Sequence, residues 1–444
     1  MVMIKLTYPQ LQEAFKEIHP PYTPQQAVTE ANRCLKCQEA ACAAACPAGV
    51  DVPKFIRQIA SQNFRGAIKV IKEDNILAGI CARICPQEVL CEGHCSSEDL
   101  AKPIEIGRLQ RFAADQERQQ GAKPLKSMPA KNIAVAVVGA GPAGLSAALF
   151  LKRLGYDVDV FEALPHAGGF LAYGIPAYRL PKEIIQDEIE YIKAMGVNIH
   201  LNHPVDDPAS LLDKYKAVFI GTGACKPFQL HIEGDNLPGV MQALDLLHQV
   251  GAALLDERDL EVDLGPRVVV IGGGNAALDA AVTSAKLGAE KVTVLYRRDE
   301  ESMPAWKEER EFARECGVEF VYLTVPVRFI EENGRLAGAQ CLQADLGDPD
   351  ESGRRRPVPR DGSEHIVPCD TAIIAISQQP DDTACPGPTR DPKGCVQVND
   401  DMATDIPGVF AGGDLIRGSD MAVSAVFDGK KAAFAIDAYI QGKK

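Results

Sequence analysis

The sequence predicts an α-helical, cysteine-rich domain followed by two α/β Rossmann-type folds, and three observations predict it. Eight of the fourteen cysteines fall between Cys34 and Cys95, in a stretch whose apolar spacing is helical. The run Ile133–Val138 ends in Gly139-Ala-Gly141-Pro-Ala-Gly144 and is followed by an amphipathic stretch and a second strand, Asp157–Phe161. That strand, glycine turn and helix pattern recurs at Arg267–Ile271, Gly272-Gly273-Gly274-Asn275-Ala-Ala277 and Lys291–Tyr296. With 444 residues the chain is long enough for two or three domains.

The elements follow in order. From Lys16 to about Gln119 the pattern is helical, with stretches at Val52–Asn63 and Phe64–Ile71 interrupted by the cysteine groups and by Pro47 and Pro86. Gln120–Asn132, rich in Lys, Pro and small polar residues, reads as a linker. The expected division is a cysteine domain over 1–128, a first dinucleotide domain in two parts, 129–225 and 371–444, and a second, inserted one over 226–370. The tail, with Gly412-Gly413-Asp414 ahead of a helical run Ala422–Gln441, is expected to fold back onto the first dinucleotide domain. Asp345–Arg360 is expected to be an exposed hairpin or loop, with Arg354-Arg355-Arg356 as a solvated face.

The net charge of −14 argues against nucleic acid or an anionic membrane surface as the main partner. No apolar run approaches the roughly 20 residues of a membrane span, and Met1–Gln10 lacks signal-peptide character, so a cytoplasmic protein is expected. In a reducing compartment the cysteine clustering points to metal or cluster ligation rather than disulfides.

The first group, Cys34-x2-Cys37-x4-Cys42-x3-Cys46-Pro47, has the form of a ferredoxin run in which three cysteines hold one cluster and the fourth serves another. The second, Cys81-x3-Cys85-x5-Cys91-x3-Cys95, can complete both, so two [4Fe–4S] clusters are the economical count; zinc or unligated core thiols compete with it. In the first glycine motif Gly139 permits a tight turn, Gly141 the approach of a pyrophosphate and Gly144 the close packing of the helix, while Pro142 and Ala143 open that helix. Glu162 ends the second strand, where a carboxylate accepts from ribose hydroxyls. Gly413 and Asp414 suit a flavin's ribityl chain. In the second motif Gly272, Gly274, Asn275 and Ala277 form the nucleotide turn, and Arg297 and Arg298 stand where a ribose-binding acid would be. Guanidinium forks suit a 2′-phosphate, which favours NADPH, with NADH as the alternative; surface charges beside Asp299, Glu300 and Glu301 are the competing reading.

Two dinucleotide folds imply a nicotinamide nucleotide delivering hydride to FAD, in a glutathione-reductase-like two-dinucleotide arrangement. None of Cys225, Cys316, Cys341, Cys369, Cys385 or Cys395 forms a CxxC pair, so the clusters take the place of a redox dithiol. No proton-transfer residue is nominated as catalytic.

Asn32-Arg33-Cys34-Leu-Lys-Cys37, Cys42-Ala-Ala-Ala-Cys46-Pro47, Cys81-Ala-Arg-Ile-Cys85-Pro86, Gly174-Ile-Pro176 with Arg179-Leu-Pro181, and Phe410–Asp414 together resemble the electron-input module shared by the glutamate synthase small chain and dihydropyrimidine dehydrogenase. The resemblance runs from about Gln25 to the end. It implies FAD in the first fold, with Gly169 and Arg179 among its contacts, NAD(P)H in the second, and two [4Fe–4S] clusters. It assigns Cys34, Cys37, Cys42 and Cys95 to one cluster and Cys46, Cys85, Cys91 and Gln110 to the other, whereas spacing alone would use Cys81. Glutamine at 110 resembles dihydropyrimidine dehydrogenase and its bacterial flavoprotein subunit, while Tyr296–Pro304 and Gly353–Pro357 resemble the glutamate synthase small chain.

With the chain taken up by these domains, the terminal reaction is expected on a partner subunit. The first expectation is an FMN-containing partner that reduces uracil or thymine. The alternative is the large subunit of glutamate synthase or another NADPH- or ferredoxin-coupled oxidoreductase, with a non-catalytic redox sensor or scaffold as the remote one.

Overall fold

The computed structural model describes residues 3–121, 125–350, 353–383 and 385–442. The chain forms two compact units. One contains Glu17–Ala172, Arg179–Lys226 and Gln379–Lys444; the other contains the chain up to Lys16, Tyr173–Tyr178 and Pro227–Gln378.

The first unit begins with helices Pro24–Asn32, Val52–Ala60, Phe64–Asp74, Ala78–Ile84 and Ile106–Gln120, with a single turn at Ala41–Ala44 between the cysteines. Three of these helices start where a local side chain satisfies a free amide. Thr23 accepts from Gln26 N, Asp51 from Lys54 N and Asn63 from Gly66 N. The Val52 helix stops three residues short of the expected Asn63, because Gln62 takes φ 58° and Asn63 already caps the next helix. Phe55, Ile59, Ile71, Ile80, Leu109 and Phe112 close the core between these helices.

The same unit holds a parallel five-stranded sheet in the order Val409–Ala411, Val218–Ile220, Ala134–Val138, Asp157–Phe161, Asn198–His200. A strand from the far end of the chain, Val409–Ala411, thus joins the sheet that carries the first glycine motif. Helix Ala422–Ile440 packs on helix Pro142–Arg153 so closely that a Cβ on Gly429 would lie 2.1 Å from the Ala143 carbonyl oxygen. The stretch read as a linker is not free over its described part: Leu125 N donates to the Tyr191 hydroxyl, Met128 N to Arg153 O and Lys131 N to Gly155 O. Residues 122–124 lie outside the described residues. Helix Phe64–Asp74 is fixed to helix Lys182–Ala194 by Lys72, which is buried, pairs with Glu117 at 2.7 Å and Glu188 at 3.6 Å, and lies over the Tyr191 ring.

The second unit has its own parallel sheet, Glu319–Val321, Lys291–Leu295, Arg267–Ile271, Thr371–Ile374, Val240–Gln242. An antiparallel sheet, Thr324–Glu332, Arg335–Pro349 and Arg355–Pro359, with His365–Pro368 paired to Arg335–Pro349, shares its core through Phe329, Leu336, Ala339 and Cys341. The stretch expected as a hairpin or loop is a hairpin, Asp345 opposite Val358, with residues 351–352 outside the described ones. The first residues do not join the cysteine domain to which the sequence reading gave them. Met3–Leu6 pairs antiparallel with Leu260–Asp263, and backbone pairing between such distant segments leaves no local signal.

Candidate functional site

In the cysteine module the fold brings Cys95 to the first loop. Cys42 feels the charges of Cys95, Cys34 and Cys37; burial first, then those neighbours, push its thiol up to about 11. Burial also raises Cys34, with Cys95 and Cys37 adding to it. Cys46, Cys81, Cys85 and Cys91 form a second group. A hydrogen bond with Cys81, then burial, holds Cys85 well above the ordinary thiol range, with Cys91 and Cys46 also close. Thiols held protonated in this way release protons when they ligate metal.

Backbone amides point at the sulfurs. Ala48, Gly49 and Val50 donate toward Cys46, Gly49 turning them inward at φ 79°, and Ile104 N donates to Cys95 Sγ at 3.5 Å. Amides directed at sulfur suit cluster thiolates, whose potential they raise. Among the described residues no three His, Cys, Asp or Glu side chains converge as ligands of a single metal ion. A [4Fe–4S] cluster does not require it, since each ligand binds its own iron. Helix Ala78–Ile84 carries Cys81 and receives Gln110: Gln110 Nε2 donates to Ala78 O at 2.9 Å, and its Oε1 has no hydrogen-bond partner among the described residues. Cys81 is buried against Cys85, whereas Gln110 meets the start of the helix that carries Cys81.

At the first glycine motif, Gly139 takes φ 95°, and a Cβ there would lie 2.6 Å from Gly221 O. A Cβ on Gly144 would lie 1.9 Å from Gly139 O, whereas one on Gly141 would meet no protein atom within 4 Å. Space is therefore kept open at the N-terminus of helix Pro142–Arg153, where anions are favoured. Gly169 borders that space, since its Cβ would lie 3.0 Å from Gly141 Cα. Glu162 is buried, accepting from Ala140 N at 2.8 Å and Leu164 N at 3.0 Å, which fixes its carboxylate beside the turn. Ala143 lies against Gly413. Asp414 follows, its carboxyl raised by burial to about 7. Arg179 is half-buried in the turn ahead of helix Lys182–Ala194.

Sequence reasoning missed the residue that holds this turn. Asp428 is fully buried, accepts from Gly413 N at 2.8 Å and pairs with Arg417 at 2.7 Å. A lone charge in the otherwise uncharged stretch Ala422–Gly429 was the available signal.

At the second motif, Gly272 turns at φ 148° with its Cβ position 2.2 Å from Ala375 O, Gly273 lies under the Tyr296 ring, and Gly274 again faces open space. Ala277 is wholly buried, and Asn275 Oδ1 accepts from Trp306 N at 3.1 Å. The two arginines separate here, which corrects the paired reading. Arg298 is buried; its Nε donates to Arg355 O and its Nη2 pairs with Asp350 at 2.7 Å, so it fastens the hairpin. Arg297 is exposed and makes no hydrogen bond or ion pair among the described residues.

Two glycine cradles, each at a helix N-terminus beside a parallel sheet, together with a module of eight clustered thiols, define a two-dinucleotide oxidoreductase joined to an iron–sulfur domain. Residues 133–429 match the pyridine nucleotide-disulphide oxidoreductase family, and residues 11–122 match the model described as dihydropyrimidine dehydrogenase domain II, 4Fe-4S cluster. The chain is 38% identical over 442 residues to the glutamate synthase [NADPH] small chain of Halomonas elongata, covering 96% of this chain and 93% of that one. It belongs to that family, and is an oxidoreductase that uses FAD, a nicotinamide dinucleotide and [4Fe–4S] clusters. It is also 38% identical to the NADP(+)-dependent formate dehydrogenase subunit beta of Moorella thermoacetica, over 90% of this chain and 60% of that subunit. The solved structure of Mycobacterium tuberculosis FprA in complex with NADPH shares the fold, with a TM-score of 0.60 at 20% identity, over 70% of this chain and 85% of that one. Among the described residues no helix is long and apolar enough to cross a membrane.

Proposed function

We propose that this chain is the electron-input subunit of an NADPH-dependent glutamate synthase. The observation that carries the reading is the whole-chain similarity to a glutamate synthase small chain, which leaves little of either protein unmatched. The uracil-reducing partner favoured by the sequence reading gives way to it, because here the likeness to dihydropyrimidine dehydrogenase rests on the cluster-domain model over residues 11–122. Bound in these sites, a nicotinamide would supply hydride chemistry, a flavin would exchange between two-electron and one-electron transfer, and clusters would supply one-electron transfer toward a partner subunit.

The chain's own residues have these parts. Gly139, Gly141, Pro142, Ala143 and Gly144 admit the FAD pyrophosphate at a helix N-terminus, and Glu162 faces its ribose. Gly413 and Asp414 line the flavin's ribityl chain, held by Asp428. Gly272, Gly274 and Asn275 receive the nicotinamide dinucleotide, and exposed Arg297, which makes no hydrogen bond or ion pair among the described residues, meets the 2′-phosphate. Cys34, Cys37, Cys42 and Cys95 hold one cluster; Cys46, Cys85, Cys91 and either Gln110 or Cys81 hold the other.

The test is anaerobic affinity purification of the chain with its bound partner, followed by NADPH oxidation assays. Oxidation dependent on glutamine plus 2-oxoglutarate is the expected result. NADPH oxidation dependent on uracil, or NADP+ reduction driven by formate, would refute the glutamate synthase reading. The similarity to a formate dehydrogenase subunit supports a second reading, the same input module serving another oxidoreductase.

A further inference from the structure

The segment that follows Cys95 has neither helix nor strand before Ile106, yet Cys95 must be held against a loop some sixty positions earlier in the chain. Its anchor is the end of helix Pro24–Asn32. Arg33, the residue before Cys34, donates through Nη2 to Lys102 O at 2.6 Å and through Nη1 to Pro103 O at 3.5 Å. The same Nη1 donates to Glu30 Oε1 at 2.6 Å, and Glu30, itself buried, accepts from Glu105 N at 3.0 Å. Between these points Ile104 N donates to Cys95 Sγ. The Glu105 side chain closes the far side: it accepts from Tyr22, Lys102 and Arg108.

We propose that Glu30 and Arg33 are positioning residues that staple segment 102–105 to the Cys34 loop, and so set Cys34 against Cys95 for the first cluster. The inference rests on the ligand assignment above. Arginine is needed because one planar fork reaches two carbonyl oxygens and a carboxylate at once, which a single ammonium cannot match in geometry. Buried Glu30 is needed because it holds the fork in plane and satisfies the Glu105 amide, which would otherwise be left unpaired. Neither residue touches the second group of thiols in this structure, so its loss should act on one cluster only.

The experiment purifies the full chain anaerobically as Arg33→Ala, Arg33→Lys, Cys34→Ser and Cys95→Ser, and reads iron content, flavin content and the electron paramagnetic resonance of the reduced protein. Arg33→Ala is expected to lose the signal that Cys95→Ser loses, with iron falling by about half, since two clusters of equal size are present, while flavin and the other signal stay. Arg33→Lys should lie between Arg33→Ala and the parent. Retention of both signals in Arg33→Ala, or loss of both together with the flavin, would overturn the staple. So would an Arg33→Lys protein indistinguishable from the parent, because charge alone would then suffice. If Cys34→Ser and Cys95→Ser remove different signals, the ligand assignment fails, and the staple with it.

Discussion

Replacing Gly141 with valine separates cofactor binding from folding. Gly141 has φ −78° and ψ −176°, an extended conformation open to any residue, and a Cβ there meets no protein atom within 4 Å. In the apoprotein the substitution should shift stability by no more than about 1 kcal/mol: valine is a poorer helix cap, but it lowers the entropy of the unfolded chain. The valine side chain fills the space left for the pyrophosphate. Displacing two charge-assisted amide contacts, at about 1.5–3 kcal/mol each, costs about 3–6 kcal/mol, or roughly 10²- to 10⁴-fold in FAD affinity. Gly144→Ala is the contrasting control. Its Cβ would sit 1.9 Å from Gly139 O, so the helix must leave the sheet and the apoprotein should lose about 3 kcal/mol or more. The assay is flavin-to-protein ratio on purification, FAD titration of the apoprotein by fluorescence quenching, and thermal unfolding of the same apoprotein. A Gly141→Val protein with parental flavin affinity, or one as unstable as Gly144→Ala, would refute the assignment.

Arg297→Ala should raise KM for NADPH by roughly tenfold or more, the worth of one charge-assisted phosphate contact, and leave NADH unchanged; equal effects on both coenzymes would remove Arg297 from the site. Arg298→Ala should instead cost about 2 kcal/mol of stability by removing the half-buried ion pair with Asp350 and the hydrogen bond to Arg355 O, and an unchanged melting temperature would contradict that. Cys81→Ser should keep full iron content if Gln110 completes the second cluster, with Gln110→Ala altering one spectrum; the opposite pair of results assigns the position to Cys81. Asp414, raised to about 7 in the fold against an ordinary 3.8, keeps its proton in the folded apoprotein after the unfolded chain has lost it. Stability should therefore fall as pH rises from about 4 to about 7, by up to about 4 kcal/mol, and flatten in Asp414→Asn; a parental profile in that variant would be the contrary result. Lys72→Met leaves buried Glu188 and half-buried Glu117 without their cation and should cost about 3–5 kcal/mol in chemical denaturation, whereas a loss below about 1 kcal/mol would show that the pair does not matter.

What the sequence could reveal and what it could not divide along one physical line, the range over which a residue's role is decided. The glycine turns were readable because backbone sterics act within a few residues: Gly139 and Gly272 occupy left-handed conformations that exclude other side chains, and each stands directly between a strand and a helix. The helical character of the cysteine module was readable for the same reason, through its caps and apolar spacing. Arg298 was not. Its chemistry suits a phosphate equally well, and only a hairpin closing some fifty residues later delivers Asp350 and the Arg355 carbonyl that consume its donors. Met3–Leu6 has no local reason to leave the cysteine module, and its partner strand begins at Leu260.

The cysteines show the same division within one motif. Spacing identifies eight sulfur donors but cannot say which share a cluster, because ligands are chosen by distance in space. The fold draws Cys95 to Cys34 and Cys42, and leaves Cys81 pressed on Cys85. The side chains that achieve the first pairing are Glu30 and Arg33, and Arg33 stands inside the very stretch, Asn32-Arg33-Cys34, that marks the family resemblance. Arg33 needs no metal contact to be required there: its fork ends on two main-chain carbonyls, and a main-chain acceptor carries no residue identity to read.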